Sequence, residues 1–427
     1  MNLHDMHPAD LADRLERLHS DAARELLQQL PLTEAAEVLA ELDASEAVDL
    51  LSNFTDQQIE ARLRPLPPHR VADVLRTLPG ARRKGVLRAL PEEQSAAVAA
   101  LLGYPADSAG GIMDSRFIAV RTDSTVENCL AVLRASPERR EDGVLYIYVV
   151  DEAKRLVGVV SLRELVFARV QRRMSEIMNR EVQFVRVNDD QEEIARKIQH
   201  YHFLGLPVVD DQQRLVGVVK IRDALRVAQA EATEDMHLMV GLSGEERIWT
   251  PWKHSIVRRL PWLSVNLGTA LGAAAVVSFF EVTVSRWTAL VAFLPLICAV
   301  AGNAGNQALT VIIRSLALGE VAPGDAARAL RKELFIGACN GFVLALTTGL
   351  IAFLWKRSVL LATVAGTAML LNQILGAMAG VAIPFGLRWC KIDPALASSI
   401  FVTALTDTIG FLVFLGLATL AIWRFGL

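Results

Sequence analysis

The sequence predicts a multidomain chain: an all-α N-terminal superhelical domain, an α/β pair built on a tandem repeat, and a five-helix α-helical transmembrane domain. Amphipathic runs ending in Leu-Pro steps fill residues 1–109, a β-turn-β-helix unit occurs twice between 110 and 230, and five apolar stretches follow residue 257. Charge divides at the same place. After residue 255, six acids face twelve Lys and Arg, a net of +6, whereas the first 255 residues hold the other 41 acids and 32 bases, a net of −9. At 52 % apolar residues, the 427-residue chain reads as an acidic soluble part joined to a membrane part.

In residues 1–109, Leu30-Pro31, Leu78-Pro79 and Leu90-Pro91 each end one amphipathic run and can start another helix. Pro67, Pro79 and Pro91 fall at twelve-residue spacing, which suggests stacked helical hairpins or a small superhelix. His4, His7 and His19 are scattered and read as solvent-facing. The basic tract Arg82-Arg-Lys84 either faces solvent or sits against an acidic surface of the repeat. It is too short, on too acidic a background, for nucleic acid.

Between 110 and 230, Tyr148-Val-Val-Asp151 followed by Arg155-Leu-Val-Gly-Val-Val160 recurs 59 residues later as Pro207-Val-Val-Asp210 followed by Arg214-Leu-Val-Gly-Val-Val219. Each copy ends in a helix, 162–170 or 221–230, and an Ile-Met element precedes each, at Ile112-Met113 and Ile177-Met178. This order resembles a tandem pair of CBS domains, with expected bounds 110–170 and 171–230. The resemblance implies a sensor of nucleotides or ions.

A connecting segment, 231–256, begins acidic at Glu231-Ala-Thr-Glu-Asp235 and approaches the membrane through Trp249, Trp252 and Trp262. Those rings suit either an interfacial belt or packing between modules. The transmembrane domain, 257–427, has five expected spans near 261–281, 288–313, 333–355, 359–388 and 395–423, the fourth long enough for a break at Pro384. With the N-terminus inside, nine Lys and Arg flank the spans on the cytoplasmic side and four on the other, which favours N-in and C-out. The N-terminus has no secretory-signal pattern, so the soluble half is expected in the cytoplasm.

Asp407 lies inside the last apolar stretch, where a carboxylate is costly unless paired or wetted. Thr403, Thr406 and Thr408 could satisfy it in a packing-only role; a wetted ion path is the other reading. In the second span, Gly302-Asn-Ala-Gly-Asn-Gln307 permits close backbone approach at Gly302 and Gly305 and offers the amides of Asn303, Asn306 and Gln307. Those amides glue helices or line a permeation path with Thr403, Thr406 and Asp407. One carboxylate suits a divalent ion that keeps its water, and a two-fold axis would bring two copies of Asp407 to it. Oxygen and amide donors suit Mg²⁺, Mn²⁺ or Ca²⁺ rather than a soft metal.

These motifs, with Tyr104-Pro-Ala-Asp-Ser-Ala-Gly-Gly-Ile-Met113, Arg259-Leu-Pro-Trp-Leu263, Arg314-Ser-Leu-Ala-Leu-Gly-Glu320, Asp393-Pro-Ala-Leu-Ala-Ser398 and Thr406-Asp-Thr-Ile-Gly-Phe411, resemble the MgtE family of magnesium channels and transporters over essentially the whole chain. The resemblance implies a homodimeric, Mg²⁺-selective channel in a bacterial cytoplasmic (inner) membrane, with the pore carboxylate at Asp407 and the polar second-span motif at Asn303, Asn306 and Gln307. It implies closure by cytosolic Mg²⁺ at acidic interfaces. Glu234 and Asp235 match the acidic connector, and Asp223 is a further sensor candidate. Arg222 and Arg226 depart from an acid-rich pattern and imply fewer or weaker sensor ions. ATP in the CBS cleft is a candidate modulator. No obligate protein partner is indicated.

No catalytic constellation, zinc spacing or Walker A loop appears, so the chain is not expected to be an enzyme. Cys129, Cys298, Cys339 and Cys390 are too scattered for a disulfide framework or a metal site. The remaining alternatives are a secondary transporter of another divalent cation such as Mn²⁺ or Co²⁺, and a non-transporting membrane ion sensor.

Overall fold

A computed structural model describes all residues except 1–5, 19, 43, 136–145, 243–245, 247–249, 251, 322, 397 and 426–427. His4, His19 and Trp249 lie outside the described residues. The chain divides into two units, Met1–Ala228 and Gln229–Leu427.

The first unit opens with eight helices: Pro8–Arg17 (α1), Ser20–Gln29 (α2), Leu32–Glu41 (α3), Ala44–Leu51 (α4), Asp56–Leu63 (α5), Pro68–Thr77 (α6), Gly80–Ala89 (α7) and Glu92–Leu102 (α8). Pro31, Pro67, Pro79 and Pro91 occupy the N-cap positions of α3, α6, α7 and α8. Each is preceded by a buried leucine, Leu30, Leu66, Leu78 or Leu90. The proline ends one helix and pre-sets the next, while the leucine fastens the corner to the core. From α1 to α8, each helix packs on the one two places along the chain, which generates the superhelix. His7 is exposed and its Nδ1 accepts the Ala9 N–H at 3.2 Å.

Of the basic tract, Lys84 faces solvent as one of the two expectations has it, but the arginines do not simply do so. Arg82 donates to the carbonyls of Ser52 and Phe54 and pairs with Asp56 at 3.5 Å, and Arg83 donates to the Arg76 carbonyl at 2.8 Å. Both are clasps inside the superhelix, binding carbonyls left free at the corners, and Lys84 alone of the three is exposed.

The repeat follows: Ala109–Ile112 (α9), Ala119–Arg121 (β1), Val126–Ala135 (α10), Tyr146–Val150 (β2), Leu156–Ser161 (β3), Leu162–Phe167 (α11), Met174–Ile177 (α12), Val185–Arg186 (β4), Gln191–Tyr201 (α13), Gly205–Val209 (β5) and Leu215–Lys220 (β6). It forms two three-stranded sheets of one topology, β1 parallel and β3 antiparallel to β2, then β4 parallel and β6 antiparallel to β5. The repeated Asp-to-Arg spacing builds the same hairpin twice. Asp151 Oδ1 accepts the N–H groups of Ala153 and Arg155 while Oδ2 holds the Arg155 guanidinium at 2.9 Å. Asp210 does the same with Gln212 and Arg214. Lys154 and Gln213 take the matching left-handed positions, both at φ 61°. The hairpins meet through Leu156 N–H to Gln213 O and Leu215 N–H to Lys154 O, tying the copies about a pseudo-two-fold.

The last helix of the second repeat and the connector are one helix, Ile221–Met239 (α14), with no break near 230. The rest of the second unit comprises Trp252–Phe279 (α15), Glu281–Arg286 (α16), a 3-10 turn at Thr288–Ala292, Leu294–Ala317 (α17), Ala326–Lys356 (α18), Val359–Trp389 (α19) and Ser398–Phe425 (α20). Five helical stretches of 28 to 31 residues are long and apolar enough to cross a membrane. The break expected at Pro384 does not occur, because α19 runs through it. The proline removes one backbone donor and crowds the carbonyl four residues back, at Gly380. That glycine is itself buried against α17, where close packing on both helices holds the backbone regular.

Within this unit, Leu238 and Met239 at the end of α14 pack with Leu309, Ile313, Ala395 and Val402 of the membrane helices. Gly241, at φ +75°, lies where a Cβ would stand 3.0 Å from Trp262 and from Ile400. Trp262 is therefore a packing residue, whereas Trp252 is exposed as an interfacial ring would be.

Candidate functional site

Glycines decide which face of α17 is open. A Cβ on Gly376 would come 2.4 Å from the Ala301 carbonyl oxygen, and one on Gly380 would come 2.3 Å from that of Gly305. Gly305 faces Val402 of α20 and the Gly376 carbonyl, and Gly302 faces the Thr406 hydroxyl at 3.5 Å. The two glycines of the Gly302–Gln307 motif are thus contact points at which α19 and α20 approach the α17 backbone. Asn303, Gln307 and Thr310 are consequently turned to the exposed face, and Asn306 is half-buried with an Oδ1 that has no hydrogen-bond partner among the described residues.

On α20, Asp407 and Thr403 are half-buried. The Thr406 hydroxyl is taken up by its own helix, at the carbonyls of Val402 and Thr403, both 3.0 Å away. It is a packing group rather than part of an ion-facing cluster. Cys298 Sγ of α17 approaches the Asp407 carbonyl oxygen at 4.0 Å. The sequence reading missed Asn372 and Gln373 of α19, which are 1 % and 2 % exposed. Their only advance signal is an amide pair inside the longest apolar run.

The sensor candidates are placed differently. Glu234 is exposed and Asp235 half-buried on α14. Asp223 is buried, with neither carboxylate oxygen hydrogen-bonded among the described residues; His69 Nε2 of α6 lies 3.8 Å away and Arg226 Nη1 3.9 Å away. Among the described residues, no three His, Cys, Asp or Glu side chains come together as a metal cluster. His69 also faces Asp114, with Nδ1 3.7 Å from Oδ1.

Asp114 is fully buried and takes the Lys220 ammonium at 2.8 Å and the Arg116 N–H at 2.9 Å. Burial alone would push its carboxyl up, but the His69 imidazole, Lys220 and Arg116 hold it well below the usual carboxylate range. Its contribution to stability is present above the unfolded value of 3.8 and fades as pH falls below that. Truncating Lys220 to methionine leaves a buried charge short of its nearest cation. Urea unfolding of the first unit should reveal a loss of about 3 kcal/mol at neutral pH; an unchanged midpoint would contradict the pairing.

A cavity of about 260 Å³ opens between the two repeats, lined by Tyr146, Tyr148, Ser161, Asn179, Phe203 and Pro207 among others. Its aromatic and neutral polar groups fit a nucleoside. Glu164 and Glu181 also line it, and among the described residues no Lys or Arg does.

Residues 6–107 match the MgtE intracellular N domain, 109–171 and 174–230 match CBS domains, and 294–417 match the divalent cation transporter domain of MgtE. The chain is 39 % identical over 336 residues to the magnesium transporter MgtE of Thermus thermophilus, covering 76 % of this chain and 72 % of that one. It is 34 % identical to the Bacillus subtilis protein of the same name over the same shares. A crystal structure of the cytosolic domain of the Mg²⁺ channel MgtE in complex with ATP aligns with 53 % of this chain and 92 % of its own, at 39 % identity and a TM-score of 0.50. Three domain matches in order, and close relatives matched over most of their length, place this chain in the MgtE family.

Proposed function

We propose that the protein is a Mg²⁺ channel that admits the ion to the cytoplasm down its gradient and closes when cytosolic Mg²⁺ binds its acidic soluble surfaces. The observation that carries this is the orientation of α17. Its glycines are used up in packing, so Asn303 and Gln307 stand on an exposed face in mid-span. Amides are costly against hydrocarbon, and here they face a second copy of the chain and the water path between the two. Asp407 supplies the charge. Mg²⁺ releases its water reluctantly, so one carboxylate from each of two subunits, with amide acceptors around it, suits a hydrated ion better than a stripped one.

Gating follows from linkage. Mg²⁺ that binds one arrangement of the acidic soluble part stabilises that arrangement in proportion to the logarithm of its concentration. Asp223, Glu234 and Asp235 are the ligands assigned to it on this chain. Asp223 already has Arg226 within 3.9 Å, which reduces what a bound ion can add. Replacing Arg222 and Arg226 together with alanine should lower the cytosolic Mg²⁺ needed for half-closure by about threefold or more. The measurement is Mg²⁺ uptake into liposomes at graded Mg²⁺ on the cytoplasmic face; an unchanged closure curve would remove the arginines from the sensor.

Adenine nucleotide in the cavity between the repeats is a further regulatory ligand on this reading. The aromatic lining supports recognition of the nucleoside.

A further inference from the structure

Asn372 sits where α17, α19 and α20 meet, and nothing above gives it a function. Its Nδ2 donates to the Gly410 carbonyl at 3.4 Å, one helical turn along α20 from Asp407. That acceptor fixes the amide orientation, because the reverse placement would set two carbonyl oxygens against each other. Oδ1 is then buried with no hydrogen-bond partner among the described residues. A leucine would fill a similar volume without burying a bare carbonyl, so packing alone does not favour an amide here.

Two more contacts converge on the same turn. Cys298 Sγ lies 4.0 Å from the Asp407 carbonyl oxygen, and a Cβ on Gly410 would stand 3.1 Å from both Cys298 Sγ and Asn372 Nδ2. Between 407 and 410, α20 is therefore touched by one side chain from each of α17 and α19. Of the two, the amide makes the directional contact.

We propose that Asn372 is a positioning residue: by holding the Gly410 carbonyl it fixes where α20 presents Asp407 to the passing hydrated ion. This rests on the reading that Asp407 lines the path. A carboxylate held at one height meets the water shell of Mg²⁺ at a set distance, whereas one free to turn meets the larger Ca²⁺ equally well. The loss is therefore read in ion half-saturation and discrimination rather than in maximal rate alone.

The test uses the full chain in liposomes, with initial rates for Mg²⁺ and Ca²⁺ in wild type, Asn372→Leu, Gly410→Ala and Asp407→Ala. Asn372→Leu should raise Mg²⁺ half-saturation by about fivefold, the factor one hydrogen bond is worth, and lower the Mg²⁺-to-Ca²⁺ rate ratio by about threefold. Gly410→Ala, whose methyl displaces an otherwise intact Asn372, should shift both quantities the same way, and decides the matter if the leucine variant does not fold. Wild-type half-saturation and ratio, or a fall in maximal rate with both unchanged, would overturn the proposal by leaving Asn372 a packing residue. If Asp407→Ala abolishes flux while the other two variants behave as wild type, only this inference falls. If Asp407→Ala conducts normally, the path reading falls and this one with it.

Discussion

Replacing Asp407 with alanine should reduce Mg²⁺ uptake by reconstituted protein to that of protein-free liposomes, with folding and bilayer insertion intact. The residue is half-buried, and the Thr406 hydroxyl is spent on carbonyls of its own helix rather than on it. Even at the dielectric of bulk water, a divalent ion at ~5 Å gains about 2 kcal/mol from one carboxylate, and considerably more where water is scarce. That alone is more than tenfold in occupancy. Asparagine at 407 keeps an acceptor but not the charge, and its flux should fall between those of wild type and alanine. Wild-type rates in the alanine variant, at matched protein in the bilayer, would make Asp407 a packing residue.

The second large effect is on stability. Gly376→Leu should abolish folded membrane protein rather than merely slow transport. Its first side-chain carbon would lie 2.4 Å from the Ala301 carbonyl oxygen and 3.4 Å from the Gly305 nitrogen, both backbone atoms that cannot rotate away. Overpacking a core commonly costs about 1–3 kcal/mol, and a clash with backbone on a helix crossing lies at or beyond the upper end of that range. Thermal melting in detergent checks it, with Gly268→Leu as the control, since a Cβ there meets nothing within 4 Å. Equal melting of both variants would contradict the tight crossing of α17 and α19.

Much of the fold was legible because its signals are local. A leucine-proline corner needs only two residues to end one helix and start the next, and the 59-residue repeat carries its Asp-to-Arg hairpin within five residues. Apolar length alone reveals the five membrane helices. What escaped depends on partners distant in sequence. The Arg82 and Arg83 side chains look like a solvated basic tract until the superhelix brings Ser52, Phe54 and Arg76 carbonyls to them. His69 has no neighbours in sequence that suggest two carboxylates, yet Asp114 and Asp223 both face it.

The candidate site was half legible for the same reason. Asp407 stands out because a charge in an apolar run is costly wherever it points. The direction of Asn303 and Gln307 could not be read, since a Gly-Asn-Ala-Gly-Asn-Gln run serves equally for gluing helices and for lining a path. Only the use of Gly302 and Gly305 in contacts with α19 and α20 turns the amides outward. Pro384 misled because its effect depends on whether the surrounding bundle holds the helix straight.

The most direct test of the central claim is water access to the open face of α17. Single cysteines at Asn303 and Gln307, in a chain whose exposed Cys339 and Cys390 are replaced by serine, are treated with a charged thiol reagent from the aqueous side during Mg²⁺ uptake. A path between two copies predicts reaction at both positions, block of uptake, and slower reaction when Mg²⁺ occupies the path, whereas cysteines at the exposed apolar Phe342 and Leu346 of α18 stay unmodified. No reaction at 303 and 307 in actively conducting protein would contradict the account and return those amides to the role of helix glue.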